Sequence, residues 1–140
     1  IKYAIVRKDP TQDDYLSELV DCVDRKIIVS GIGEQPAIVH VNSFGVNSFT
    51  SGCVCVAPNL SMRMLQALKD GNLEAAESIR RTFVPLEDLR NDINPIRVLH
   101  AAVAEAGIAE TGPILPLLDE VDEKSRVEIG AAAGQLLSQN

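Results

Sequence analysis

Three short runs of β-branched and apolar residues in the first half of the chain constrain the fold more than any other feature. They lie near residues 1–6, 26–30 and 45–52, and an amphipathic segment follows each run. When a strand, a helix and another strand follow one another with short connections, the two strands pair in parallel through a right-handed crossover. The alternation therefore predicts an α/β fold with one parallel sheet.

Apolar residues repeat at helical spacing between and after these runs. The spacing predicts helices over residues 11–24 and 35–41, and a third helix that begins at Pro58 and ends at Gly71. Thr11 is placed to cap the first helix, because its hydroxyl can accept a hydrogen bond from an unpaired backbone amide.

The second half of the chain shows no strand pattern. Its periodicity predicts helices over about 73–91, 95–106 and 122–137, and Pro85 should kink or interrupt the first of these. We therefore expect an α/β portion at residues 1–71 and an all-helical portion at residues 72–140. Three parallel strands cannot close a barrel, and the chain opens inside a strand pattern, so we expect a piece of a longer protein.

Charge and hydropathy exclude several classes of partner. The formal net charge is −7 over 140 residues, which argues against binding to a nucleic-acid backbone. No apolar stretch reaches the ~18 residues that a membrane span needs. The first residues resemble a strand rather than a signal peptide, so we expect a cytoplasmic protein that binds neither nucleic acid nor membrane.

The cysteines indicate neither disulfides nor a metal site. Their number is odd, and Cys53 and Cys55 would point to opposite faces of a strand. The two histidines, His40 and His100, stand far from this pair at no ligand spacing. We therefore expect no metal, and we interpret the cysteines as small buried hydrophobic residues.

Candidate site residues lie at the carboxyl ends of the predicted strands, where ligands bind in α/β proteins. Lys2 lies in an apolar run, and desolvation would make its amine a nucleophile for carbonyl groups; the alternative is a lysine in water. Gly31 could allow close approach of a substrate or only form a turn. Thr50 and Ser51 could present hydroxyls to a ligand or act as local caps.

Other polar residues allow both a chemical and a structural interpretation. Glu34 could be a general base, although an acid at a helix start is the simpler interpretation. His40 and His100 fall on helical patterns and suit packing or surface positions. Arg90 and Arg97 flank a turn and could bind a carboxylate, but intrahelical ion pairs explain them more simply.

Four short motifs follow one another along the chain. They are Ile1-Lys2, Ser30-Gly31, the segment from Phe44 through Pro58, and Asn94-Pro95-Ile96. In their order and spacing the chain resembles the C-terminal half of the dihydrodipicolinate synthase and N-acetylneuraminate lyase family. The resemblance implies about strands six to eight of a (β/α)8 TIM barrel, followed by the family's helical C-terminal extension.

The resemblance also implies a chemistry. Lys2 would be the Schiff-base lysine of a lyase, condensing with the ketone of pyruvate or another 2-oxo acid without any cofactor. The backbone at Thr50 would contact the bound 2-oxo acid, and Gly31 and Ser30 would line the same pocket. The family's catalytic tyrosine and its Thr-Thr loop belong to earlier strands, so this portion alone is expected to be inactive. A homodimer or homotetramer is implied.

Alternatives to this assignment stay open. The segment Phe49–Cys55 is similar to the sugar-acid dehydratase branch, so a 2-keto-3-deoxy sugar acid dehydratase or aldolase is one alternative. A non-catalytic homologue that binds a 2-oxo acid is another. A nucleotide-binding doubly wound domain is weaker, because Gly31 and Gly33 lack the third glycine of that fingerprint.

Overall fold

The three strands form one parallel sheet, as the alternation of strands and helices predicts. The computed structural model describes residues 1–140. The strands are β1 (Lys2–Tyr3), β2 (Val29–Ser30) and β3 (Ser48–Phe49), in the order β1-β2-β3. Both pairings are parallel. The fold class of the first half is therefore confirmed as α/β.

The strands are shorter than predicted. Residues Arg25–Ile27, expected at the start of a strand, form a 3₁₀ turn, because the Asp24 carboxylate accepts a hydrogen bond of 3.0 Å from the Lys26 amide. The expectation that Cys53 and Cys55 lie on a strand is also wrong, because Cys53–Cys55 is a second 3₁₀ turn. Cys53 is buried, whereas Cys22 and Cys55 are exposed, so the interpretation of the cysteines as buried residues is wrong for those two.

Six helices account for most of the remaining chain, at the places where the periodicity predicts them. They are α1 (Asp14–Cys22), α2 (Glu34–Phe44), α3 (Pro58–Lys69), α4 (Leu73–Asp92), α5 (Pro95–Glu105) and α6 (Glu123–Leu137). No helix is long and apolar enough to cross a membrane.

Two expectations about helix ends and breaks are wrong. Asp13, not Thr11, caps α1, and its Oδ1 atom accepts from the Leu16 amide at 3.0 Å. The Thr11 hydroxyl instead donates to Asp9 at 2.7 Å, which holds the preceding turn and delays the helix start. Helix α4 continues across Pro85, so the expected interruption does not occur, and a kink there stays a prediction.

The chain contains two compact units. The first comprises Ile1–Ser51 with Ser61–Arg80, and the second comprises Gly52–Leu60 with Arg81–Asn140. The predicted division at residue 71 stays a prediction. In the first unit two apolar clusters form the core; their buried members are Tyr3, Leu16, Val20, Ile28, Phe44 and Val46 in one, and Ala37, Met64, Leu68 and Ala76 in the other. In the second unit α5 packs against α6.

Candidate active site

One face of the sheet carries three of the predicted site residues. Lys2 pairs with Val29, and Val29 pairs with Ser48, so these three side chains form one row across the sheet. Side chains alternate between the two faces along a strand. Two residues further on, Gly31 and Thr50 therefore lie on the same face as Lys2, at the carboxyl ends of their strands.

The backbone ladder extends beyond the strand ends and fixes this arrangement. The Gly31 amide donates to the Tyr3 carbonyl at 2.6 Å, and the Thr50 amide donates to the Ser30 carbonyl at 2.7 Å. The Thr50 amide is therefore already hydrogen-bonded within the sheet, whereas Thr50 itself is exposed. Thr50 can therefore offer its carbonyl oxygen and its hydroxyl to a ligand.

Gly31 lies directly against the Lys2 side chain. A Cβ atom at Gly31 would lie 2.6 Å from Cε and 2.7 Å from Cγ of Lys2, and real Cβ atoms essentially never come this close. The turn itself depends on Gly33, whose φ of 118° favours glycine. Close approach of a substrate to Gly31 stays a prediction; within the chain, the group that lies against Gly31 is the Lys2 side chain.

Lys2 is exposed, whereas the next residue of its strand, Tyr3, is buried. The residues of this chain alone therefore do not bury Lys2, although the apolar run around it suggested that they would. A lysine amine on a flexible stem, held at its base by contact with Gly31, can reach a carbonyl compound bound at the strand ends.

Ser30 lies on the opposite face of the sheet. Its buried hydroxyl shares a hydrogen bond of 2.8 Å with Nδ1 of His40, which is also buried. Burial lowers the pKa of His40 below its ordinary value, an effect that the negative charge of Asp13 only partly offsets, so the ring is neutral at pH 7. Binding of substrate by Ser30 stays a prediction, and it can rest only on the Ser30 backbone.

A buried phenol–carboxylate–guanidinium network anchors the strand that carries Lys2. The Tyr3 hydroxyl donates to Asp13, and Arg7 donates to the same carboxylate at 3.1 Å. Burial, and then the hydrogen bond to Asp13, raises the pKa of Tyr3 to about 12. Burial opposes ionisation of Asp13, but the hydrogen bonds from Arg7 and Tyr3 outweigh it and keep the pKa of Asp13 below its usual range.

Glu34 is a polar residue whose environment the sequence did not reveal. It is the first residue of α2 and fully buried. Its carboxylate accepts hydrogen bonds from the Ser51 hydroxyl at 2.5 Å and from the Ser61 hydroxyl at 2.6 Å. The only sequence signal for this site was an acidic residue directly after a glycine turn. The two serines lie 17 and 27 residues further along the chain, so no local pattern connects them to Glu34.

In the second unit Arg97 differs from expectation. Arg97 forms no intrahelical ion pair; its guanidinium donates to the carbonyl oxygen of Glu120 in the connector before α6. Arg90 donates to the Asn91 side chain at 3.0 Å. Asn94 caps α5, because its side-chain oxygen accepts from the amides of the next turn.

A cavity of about 200 Å³ lies within the second unit. Its polar lining consists mainly of Arg97, His100, Thr111, Glu120 and Arg126. Arg126 is paired with carboxylates of Glu105 and Glu120, at 3.0 and 2.6 Å, so its charge is already balanced. No group of three His, Cys, Asp or Glu side chains is arranged to hold a metal ion.

The chain is similar to curated archaeal enzymes. It is 38% identical over 96 residues to a 4-hydroxy-tetrahydrodipicolinate synthase of Methanopyrus kandleri, which covers 67% of this chain and 31% of the relative. It is 39% identical over 95 residues to the enzyme of the same name from Archaeoglobus fulgidus, with 67% and 32% covered. The match thus spans about a third of each relative's length.

The fold is similar to that of a solved enzyme over nearly the whole chain. A dihydrodipicolinate synthase from Oceanobacillus iheyensis superposes with a TM-score of 0.76 at 26% identity, covering 98% of this chain and 44% of that one. The model of the Dihydrodipicolinate synthetase family matches residues 8–136, a range that includes Gly31 and Thr50 and begins after Lys2. The chain therefore belongs to the dihydrodipicolinate synthetase family.

Proposed function

We propose that Lys2 is the Schiff-base lysine of a lyase of this family that acts on pyruvate or a related 2-oxo acid. The observation that carries the proposal is the exposed Lys2 amine, packed by its stem on Gly31 and sharing a sheet face with Thr50. Ligands bind at this end of parallel strands. The relatives that bear the name 4-hydroxy-tetrahydrodipicolinate synthase support the lyase class.

The proposed chemistry needs only the amine and a neighbouring base. The unprotonated Lys2 amine adds to the ketone of the 2-oxo acid, and loss of one water gives an imine. The protonated imine withdraws electrons from the adjacent C3 atom, so a base can remove a C3 proton and leave an enamine. The resemblance implies that this base is a tyrosine from an earlier strand of the same barrel.

The separation of Lys2 and Thr50 suits a small acid. Strand β2 lies between β1 and β3, so their backbones are about 10 Å apart, two strand spacings. A 2-oxo acid attached to Lys2 would extend across Gly31 toward Thr50. An ionised carboxylate only accepts hydrogen bonds, so Thr50 would bind it through the hydroxyl, whereas the Thr50 carbonyl would accept from a donor on the substrate.

The exposure of one sheet face supports the barrel assignment. Tyr3 and Ser30 on one face are buried, whereas Lys2 and Thr50 on the other are exposed. Parallel sheets are normally covered on both faces. We therefore assign the exposed face to the interior of a (β/α)8 barrel, with these strands about the sixth to eighth and residues 72–140 as the helical extension. This portion alone should be inactive, and the whole protein should form a homodimer or homotetramer.

Trapping of the imine tests the proposal directly. The full-length protein is incubated with pyruvate, or separately with a 2-keto-3-deoxy sugar acid, reduced with borohydride, and digested for mass spectrometry. We expect a stable adduct on Lys2 that is lost in Lys2→Arg. The matched control, Lys26→Arg, changes an exposed lysine in the 3₁₀ turn before β2 and should leave the adduct unchanged.

The outcomes separate the candidate functions. Stronger trapping by the sugar acid than by pyruvate would favour the dehydratase or aldolase alternative, which the Phe49–Cys55 sequence supports. Noncovalent binding of 2-oxo acids without an adduct on Lys2 would contradict the proposal and leave the non-catalytic homologue. An adduct that persists in Lys2→Arg would place the nucleophile elsewhere.

A further inference from the structure

Glu34 is a fully buried acidic residue at the ligand-binding end of the sheet. Its side chain has 0% exposure, and carboxylates are almost never buried to this extent unless they are paired or hydrogen-bonded. Hydroxyl groups of Ser51 and Ser61 donate to it at 2.5 and 2.6 Å. Its position at the first turn of α2 also favours negative charge.

The two serines belong to different parts of the first unit. Ser51 directly follows Thr50 after β3, whereas Ser61 lies in α3. Glu34 itself directly follows the glycine turn after β2. The short bond between Glu34 and Ser51 therefore ties the loop that contains Gly31 to the loop that contains Thr50.

We propose that Glu34 is a positioning residue that fixes Thr50 at a set distance from Gly31 and Lys2, and so places the bound 2-oxo acid for attack by the lysine. The inference rests on the function proposed above. Because successive side chains point to opposite faces, Ser51 reaches toward α2 while Thr50 lies on the Lys2 face. Glu34 thus acts through Ser51 and the backbone and does not touch the substrate.

A comparison of two serine variants tests this role. Ser51→Ala and Ser61→Ala each remove one hydroxyl from the same carboxylate, so both should lower the thermal midpoint by similar amounts. Only Ser51→Ala releases the Thr50 segment, and we expect it to slow the limiting rate of borohydride trapping on Lys2 by about 10- to 100-fold. Ser61→Ala should stay near the wild-type rate.

Two further variants distinguish an effect on the position of Thr50 from an effect on the stability of the whole protein. Glu34→Gln keeps the shape but leaves one acceptor oxygen for two serine hydroxyls, so its trapping rate should fall between those of Ser51→Ala and wild type. Ser51→Thr retains the hydroxyl and should restore the rate. In the ligand-free protein, amide exchange at Thr50, whose N–H donates to Ser30, should quicken in Ser51→Ala and stay slow in Ser61→Ala.

The outcomes also separate this inference from the proposed function. If the wild-type protein forms an adduct and the two serine variants trap at equal rates, the positioning role is overturned while the lyase proposal stands. If the wild-type protein forms no adduct on Lys2, the lyase proposal and the positioning role of Glu34 in that reaction both fail. Equal rates of amide hydrogen exchange at Thr50 in the two serine variants would overturn the positioning role, and this measurement needs no substrate.

Discussion

Gly31→Ala should move Lys2 without unfolding the protein. The new Cβ atom would meet Lys2 Cε at 2.6 Å, Lys2 Cγ at 2.7 Å and the Ala4 side chain at 3.1 Å. Carbon atoms in contact lie about 3.5 Å apart or more, so the lysine stem must shift by roughly 1 Å. Because the stem is flexible and exposed, it can shift at small cost to stability.

We therefore expect Gly31→Ala to lower the rate of adduct formation rather than the stability of the protein. A misplacement of about 1 Å can lower a rate by about 100-fold, so we expect adduct formation with pyruvate to slow by up to that factor. The assay is the rate of borohydride trapping on Lys2 in the full-length protein, with the thermal midpoint measured in parallel. Gly134→Ala is the matched control, since a Cβ atom there meets nothing within 4 Å.

Two results would refute this reasoning. Trapping of Gly31→Ala on Lys2 at the wild-type rate would show that the reactive position of Lys2 does not depend on Gly31. A large fall in thermal midpoint relative to Gly134→Ala would show that the substitution acts on the fold. The expected combination is a slow reaction in a protein of nearly unchanged stability.

Three further predictions concern the supporting structure. Tyr3→Phe removes a donor from buried Asp13 and should lower the free energy of unfolding by about 1–3 kcal/mol in urea titrations. The pKa of folded Asp13 lies below its unfolded value near 3.8. Ionised Asp13 therefore stabilises the fold fully above pH 3.8, and this stabilisation is lost as pH falls through the folded pKa. In thermal melts, Tyr3→Phe should lose less stability on acidification than wild type does. Folded His40 also has a lowered pKa, so stability should fall as pH drops below about 6.5, and His40→Gln should flatten that slope. Asn94→Ala removes the cap of α5 and should cost about 1 kcal/mol in urea titrations, whereas an unchanged midpoint would contradict the cap assignment.

The parallel sheet could be predicted because its pattern is local. Strand, helix and strand follow one another with short connections, and chain geometry then permits only parallel pairing. The strand lengths could not be predicted in the same way. Residues 26–30 contain a β-branched run that predicts a strand, but the Asp24 side chain accepts from the Lys26 amide and Arg25–Ile27 forms a 3₁₀ turn.

The candidate site was partly predictable for the same reason. Parallel pairing brings Lys2, Gly31 and Thr50 to one edge, and alternation along β2 places Ser30 on the other face, as its bond to His40 shows. The burial of Glu34 was not predictable, because it depends on hydroxyls that only the folded chain brings to it.

The order of the sheet has a consequence for handling this chain by itself. Strands β1 and β3 are its two edges, so each presents unpaired backbone donors and acceptors on its outer side. Open edges are templates for further strands, and a closed barrel removes them. In the barrel assignment proposed above, further strands pair with both edges; the chain by itself should therefore associate with copies of itself, and co-expression with strands that complete the proposed barrel should suppress that association.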